Sequence, residues 1–97
     1  MLKRTFIKMG DKGYIESLVF ALSSKNLVIL KGSKGYIMCG YLNQAAAQKF
    51  GDAAVKITGV SDIKQALKAK VFSCTAAAAK LGIYPGQPVK EVLQLIA

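Results

Sequence analysis

Between Thr5 and Cys39 the chain passes through four short runs rich in β-branched, aromatic and aliphatic residues, and the connections between them are only a few residues long. The runs are Thr5–Met9, Tyr14–Leu22, Asn26–Lys31 and Tyr36–Cys39, parted by turn residues at Gly10–Gly13, Ser23–Lys25 and Gly32–Gly35. Returning a strand to a parallel start takes a crossover of about a dozen residues, so connections this short dictate antiparallel hairpins. The first half is therefore expected to be an antiparallel meander. Leu27, Val28, Ile29 and Leu30 are apolar at successive positions, which marks a strand buried on both faces and central in its sheet.

The second half changes period. Asn43 reads as the N-cap of a helix over Gln44–Phe50 stopped by Gly51, because glycine enters the left-handed cap conformation without strain. A strand over Ala53–Thr58 follows, then a helix capped by Ser61 and running through Lys68, with Ile63, Ala66 and Leu67 on one face. Val71–Ser73 is the next strand, and Thr75 caps a short alanine-rich helix closed by Gly82. Tyr84-Pro85-Gly86-Gln87 forms a turn, and Pro88 opens a last helix with Val89, Val92, Leu93 and Ile96 on one stripe. Strands first, then strand, helix, strand, helix, helix, predict an α+β fold with a mixed sheet and its helices mainly on one face. The 97 residues allow a single domain over 1–97, with a β half of about 1–41 and an α/β half of about 42–97.

An apolar fraction of 53% against 20% charged residues is slightly richer than an ordinary globular chain, so either the core is dense or some apolar surface meets another subunit, and in so small a protein the second option is attractive. No apolar run reaches the roughly 18 residues of a membrane span, since Ser23-Ser24-Lys25-Asn26 breaks the stretch Leu18–Leu30. The start Met1-Leu2-Lys3-Arg4 and the alternation after it lack the pattern of a signal peptide, so the expected location is cytoplasmic. Cys39 and Cys74 read as free thiols in a reducing compartment.

The segment Lys34-Gly35-Tyr36-Ile37-Met38-Cys39-Gly40-Tyr41-Leu42-Asn43, continued by Lys49-Phe50-Gly51-Asp52-Ala53-Ala54 and Thr58-Gly59-Val60, resembles the signature of the YunC-like family. The resemblance extends from about Leu27 to the C-terminus. It implies a compact α/β sheet domain of unknown function whose N-terminal β region serves tetramerisation, and it implies no activity. The first 24 residues match less clearly.

The residues themselves exclude several chemistries. Without histidine there is no imidazole base, no Ser-His or Cys-His pair and no histidine metal site. Asp11, Glu16, Asp52, Asp62 and Glu91 are scattered rather than paired. Gly35 and Gly40 have the spacing of a phosphate-binding loop, but Tyr41 and Leu42 stand where its Lys and Ser or Thr belong. Neither a metal nor a cofactor is expected.

What remains are candidates of a subtler kind. Cys39 ends a strand ahead of the helix that Asn43 caps, with Lys34 or Asn43 as the helper of a thiol enzyme; its alternative reading is a small buried hydrophobe. Tyr36 and Tyr41 suit stacking on a ring or packing at an interface. Cys39–Asn43, Thr58–Ser61 and Ser73–Thr75 are three strand-to-helix junctions; if their strands run parallel, they gather at one sheet edge where a small anionic ligand would bind. Ligand candidates are accordingly Lys34, Tyr36, Cys39, Asn43, Ser61 and Thr75. The net charge of +9 comes from lysines and one arginine, Arg4. Lysines 3, 8, 12, 25, 31 and 34 fall in or beside the hairpin half, where a shared face would give weak, sequence-independent nucleic-acid binding. The leading expectation is a non-catalytic homo-oligomer, a tetramer through its β half, that binds a small anion. Nucleic-acid binding and a Cys39 enzyme are the alternatives.

Overall fold

A computed structural model describes residues 2–22, 25–40 and 42–97. Strands β1 (Leu2–Lys8), β2 (Tyr14–Ala21), β3 (Asn26–Lys31) and β4 (Tyr36–Met38) are followed by α1 (Gln44–Phe50), β5 (Ala54–Lys56), α2 (Ile63–Lys68), β6 (Ser73–Cys74), α3 (Ala76–Lys80) and α4 (Val89–Ile96). The six strands lie in one sheet in chain order. β1 to β4 pair antiparallel, as the short connections require. β5 joins β4 in parallel, with α1 as the crossover, and β6 returns antiparallel on β5. The α+β mixed sheet is thus as expected.

The pleat sorts the residues. Ile15, Val28, Leu30, Ile37 and Val55 point to one face and are fully buried there under Ala66 of α2, Ala78 of α3 and the Val89, Val92, Leu93 and Ile96 stripe of α4. Burying each aliphatic side chain of this set contributes about 1.5–3 kcal/mol. α1 alone takes the opposite face, where Ala47 and Leu42 pack on Tyr36, Met38 and Ala54. β3 is central, with Val28 and Leu30 buried and Leu27 and Ile29 half-buried on the other side.

Several boundaries shift for local reasons. The N-cap of α2 is Asp62, whose carboxylate accepts from Gln65 N at 2.8 Å, while Gln65 Oε1 accepts from Ser61 N; Ser61 lies one residue outside the helix. The strand expected at Val71–Ser73 is displaced to Ser73–Cys74, because Val71 N donates to Gln87 O and leaves the ladder. Pro88 is the N-cap of α4 rather than its first helical residue. Asn43, Gly51 and Thr75 cap as expected. The turn Ser23-Ser24-Lys25 lies partly outside the described residues, at Ser23 and Ser24, as does Tyr41. Among the described residues no helix is long and apolar enough to cross a membrane.

Candidate functional site

Two surfaces stand out, and the sequence explains both. The first is the open face of the meander. On β1 and β2 the apolar residues alternate onto both sides of the sheet, yet the helices cover only one side. The other side exposes Leu2 (56%), Phe6 (56%), Tyr14 (59%) and Phe20 (45%), with half-buried Leu18, Leu27 and Ile29 beside them. Phe6 and Tyr14 meet edge to face with ring centroids 6.3 Å apart. Arg4 lies 5.1 Å over the Phe6 ring and pairs with Glu16, while the exposed Lys8 and Lys31 stand at the strand ends on this side.

The second surface is a cleft of about 580 Å³ at the ends of β3, β4 and β5. Cys39 and Gly40 leave β4 there, Thr58, Gly59, Val60 and Ser61 leave β5, and Lys25 and Asn26 enter β3. The connection after β4 goes to α1 on one face of the sheet and that after β5 goes to α2 on the other. Parallel strands whose connections part to opposite faces leave a crevice outside their carboxyl ends. Asn26 Nδ2 donates to Ser61 O at 2.8 Å across the rim, and Ser61 Oγ and Ser61 N both donate to Gln65 Oε1. A second hollow of about 420 Å³, lined by Lys3, Thr5, Val19 and Ile63 among others, adjoins the first across Asn26 and Ser61.

Of the candidate ligand residues, the fold brings Cys39 and Ser61 together in this cleft. Thr75 is not with them. β6 runs antiparallel to β5, so the Ser73–Thr75 junction lies at the opposite edge, and the three junctions do not gather. Thr75 is buried there, its Oγ1 donating to Asp52 O at 2.6 Å and accepting from Ala54 N and Ala78 N. Lys34 and Tyr36 also lie at that far end: Lys34 N donates to Ile96 O, and Tyr36 Oη donates to Asp52 Oδ2 at 3.1 Å. Burial, then the hydrogen bond and charge of Asp52, push the Tyr36 phenol up. Asn43 Oδ1 is occupied as the cap of α1, accepting from Ala46 N at 3.0 Å. Lys25, Asn26, Gly40, Thr58, Gly59 and Val60 line the cleft without being in the ligand set read from the sequence.

Cys39 is only 4% exposed. Its Sγ accepts from Val28 N at 3.4 Å and donates to the Asn26 carbonyl at 3.7 Å, which ties the thiol to β3. Lys34 stands at the other end of β4 from it, and the Asn43 side-chain oxygen is engaged by Ala46 N. Cys74, half-buried, donates to Ile83 O, and burial pushes its thiol up. Among the described residues no group of acids and cysteines is placed to hold a metal ion. The lysines of the hairpin half are dispersed: Lys3 points to the helix-covered side of β1, Arg4, Lys8 and Lys31 to the open side, and Lys12 Nζ donates to Gln94 O at the end of α4.

A family described as a domain of unknown function (DUF1805) matches residues 38–96, the stretch from the end of β4 to the last helix. The whole chain superposes on the crystal structure of a protein of unknown function, TA1206, from Thermoplasma acidophilum, with a TM-score of 0.94 and 37% sequence identity, covering 100% of this chain and 94% of that one. Among curated proteins there is no significant match.

Proposed function

The chain belongs to the DUF1805 family, the family of the YunC-like resemblance, and we propose that it is a single non-catalytic domain over residues 1–97 that assembles into a homo-oligomer through the open face of its β half. The observation that carries this reading is the side of β1 and β2 opposite the helices, where Leu2, Phe6, Tyr14 and Phe20 form one exposed apolar field. Such a field costs hydration free energy in an isolated chain and is the kind of surface that oligomers bury. A second copy is the occupant that fits. The middle of the face is apolar with its Arg4 and Glu16 charges already paired, and the lysines on the same side, Lys8 and Lys31, end their strands, so their amines stay in water at the rim when two copies meet. The YunC-like resemblance supports a tetramer, and cytoplasmic residence accords with the two free thiols.

Static light scattering tests the proposal. The native chain at micromolar concentration is expected near four times its 10.3 kDa mass. Phe6→Asp combined with Phe20→Asp should give a folded monomer, because both residues are exposed within one chain. A native protein that is monomeric at that concentration overturns the assembly.

A further inference from the structure

We propose that the cleft at the carboxyl ends of β4 and β5 binds a small organic acid, a molecule with one carboxylate or phosphate group on a compact, partly apolar body. The proposal does not depend on assembly, which uses a face of the sheet rather than its end.

Position is the first argument. The cleft occupies the one adjacent parallel pair in the sheet of the described residues, at the point where the connections diverge to opposite faces, and open α/β sheets hold ligands at such points. Size is the second. About 580 Å³ lies within the range of roughly 300–1,000 Å³ typical of small-molecule sites and is far larger than a bare inorganic ion needs.

Chemistry sets the ligand class. Among the described residues the lining carries one charged side chain, Lys25, and no carboxylate, so the local field favours an anion. Lysine acts as a point charge that serves a carboxylate or a phosphate alike, without the bidentate geometry of arginine. The hydroxyl of Thr58 and the second N–H of the Asn26 amide are the donors close by, the Ser61 hydroxyl proton being given to Gln65 Oε1. Ser61 is held by Gln65 and Asn26 is held by its bond to Ser61 O, so this polar rim is set before a ligand arrives. Val60 and the buried Cys39 provide the apolar part. One cation, a rigid polar rim and an apolar floor fit a single carboxylate or phosphate group on an organic body.

Two variants address the cleft without attacking the fold. Lys25→Gln removes the cation from an exposed position. Gly40→Phe fills the space: a Cβ at Gly40 meets no atom within 4 Å, and its φ is not positive. The experiment is a thermal-shift screen of the native protein against monocarboxylates and phosphate monoesters, with inorganic phosphate and sodium chloride as controls, followed by calorimetric titration of any hit. The expected result is a saturable stabilisation by one of these chemical classes, identifying which anion source the site takes. Affinity should fall by about tenfold to a hundredfold in Lys25→Gln and be lost in Gly40→Phe, while unliganded melting temperature and mass by light scattering stay as in the native protein. Stabilisation by inorganic phosphate alone, no saturable hit across both classes, or a hit whose affinity survives both variants would each overturn the proposal.

Discussion

A Cβ built on Gly32 would stand 2.1 Å from the carbonyl oxygen of Ile96. The turn between β3 and β4 and the last residues of α4 are thus in backbone contact, closed further by Lys34 N donating to Ile96 O at 2.8 Å. Gly32 has no positive φ, so space rather than conformation demands glycine. The close atoms are backbone on both sides, and neither can rotate away. Gly32→Ala is therefore expected to cost about 3 kcal/mol, the upper end for overpacking, whereas Gly40→Ala, with open space around it, should stay within about 0.5 kcal/mol. Urea unfolding of the two variants checks both values, and equal midpoints would refute the contact.

Thr75 is a second fixed point. Its hydroxyl gives one proton to Asp52 O and accepts from Ala54 N and Ala78 N, joining β5, α3 and the loop before β5. Thr75→Val keeps the shape and strands these backbone groups in a buried place. The expected loss is about 2–4 kcal/mol, from unsatisfied groups and a lost helix cap. Thr75→Ser retains the hydroxyl and should lose only about 1 kcal/mol, for the missing methyl. Chemical denaturation with both variants separates the hydroxyl from the packing; equal losses would show that the hydrogen bonds carry little.

The meander was legible because turn lengths leave one option, and the α4 stripe because Val89, Val92, Leu93 and Ile96 fit one helical period. The caps at Asn43 and Thr75 follow from residue type alone. The cleft was half legible. Cys39 and Ser61 follow strands and could be nominated, but Lys25 and Asn26 join them only because β3 is antiparallel to β4, which lays the start of one beside the end of the other. Grouping Thr75 with Ser61 requires parallel strands, and nothing local in Ser73-Cys74 reveals that β6 runs the other way. Direction in a sheet is a property of pairing, not of the strand.

Tyr36 and Cys74 make stability fall in alkali. Burial, aided for Tyr36 by Asp52, raises both groups above their ordinary values of 10.0 and 9.0. The folded chain then holds these protons at pH values where the unfolded chain has released them. Their contribution is intact below the unfolded values and is lost as pH rises past about 9 for Cys74 and about 10 for Tyr36. Tyr36→Phe should cost about 1 kcal/mol at neutral pH through the Asp52 bond, and should flatten the decline above pH 10. Thermal melts across pH 7 to about 11 test this, and an unchanged alkaline slope in Tyr36→Phe would assign the decline elsewhere.

Cys39 offers a test that bears on catalysis itself. A thiol enzyme needs an accessible thiolate near a cation or base. Here the sulfur is almost wholly covered, shared between Val28 N and the Asn26 carbonyl, and Lys34 stands at the far end of β4. Iodoacetamide at neutral pH should label Cys39 far more slowly in the native protein than a simple thiol, and at the simple-thiol rate once urea unfolds the chain. Cys39→Ser should leave the fold intact at a cost of about 1–2 kcal/mol, since a hydroxyl replaces a buried sulfur. Labelling of native Cys39 faster than a simple thiol would contradict the geometry described and reopen a nucleophilic role. Slow labelling that slows further with a saturating organic acid would place that ligand over the thiol, at the floor of the cleft.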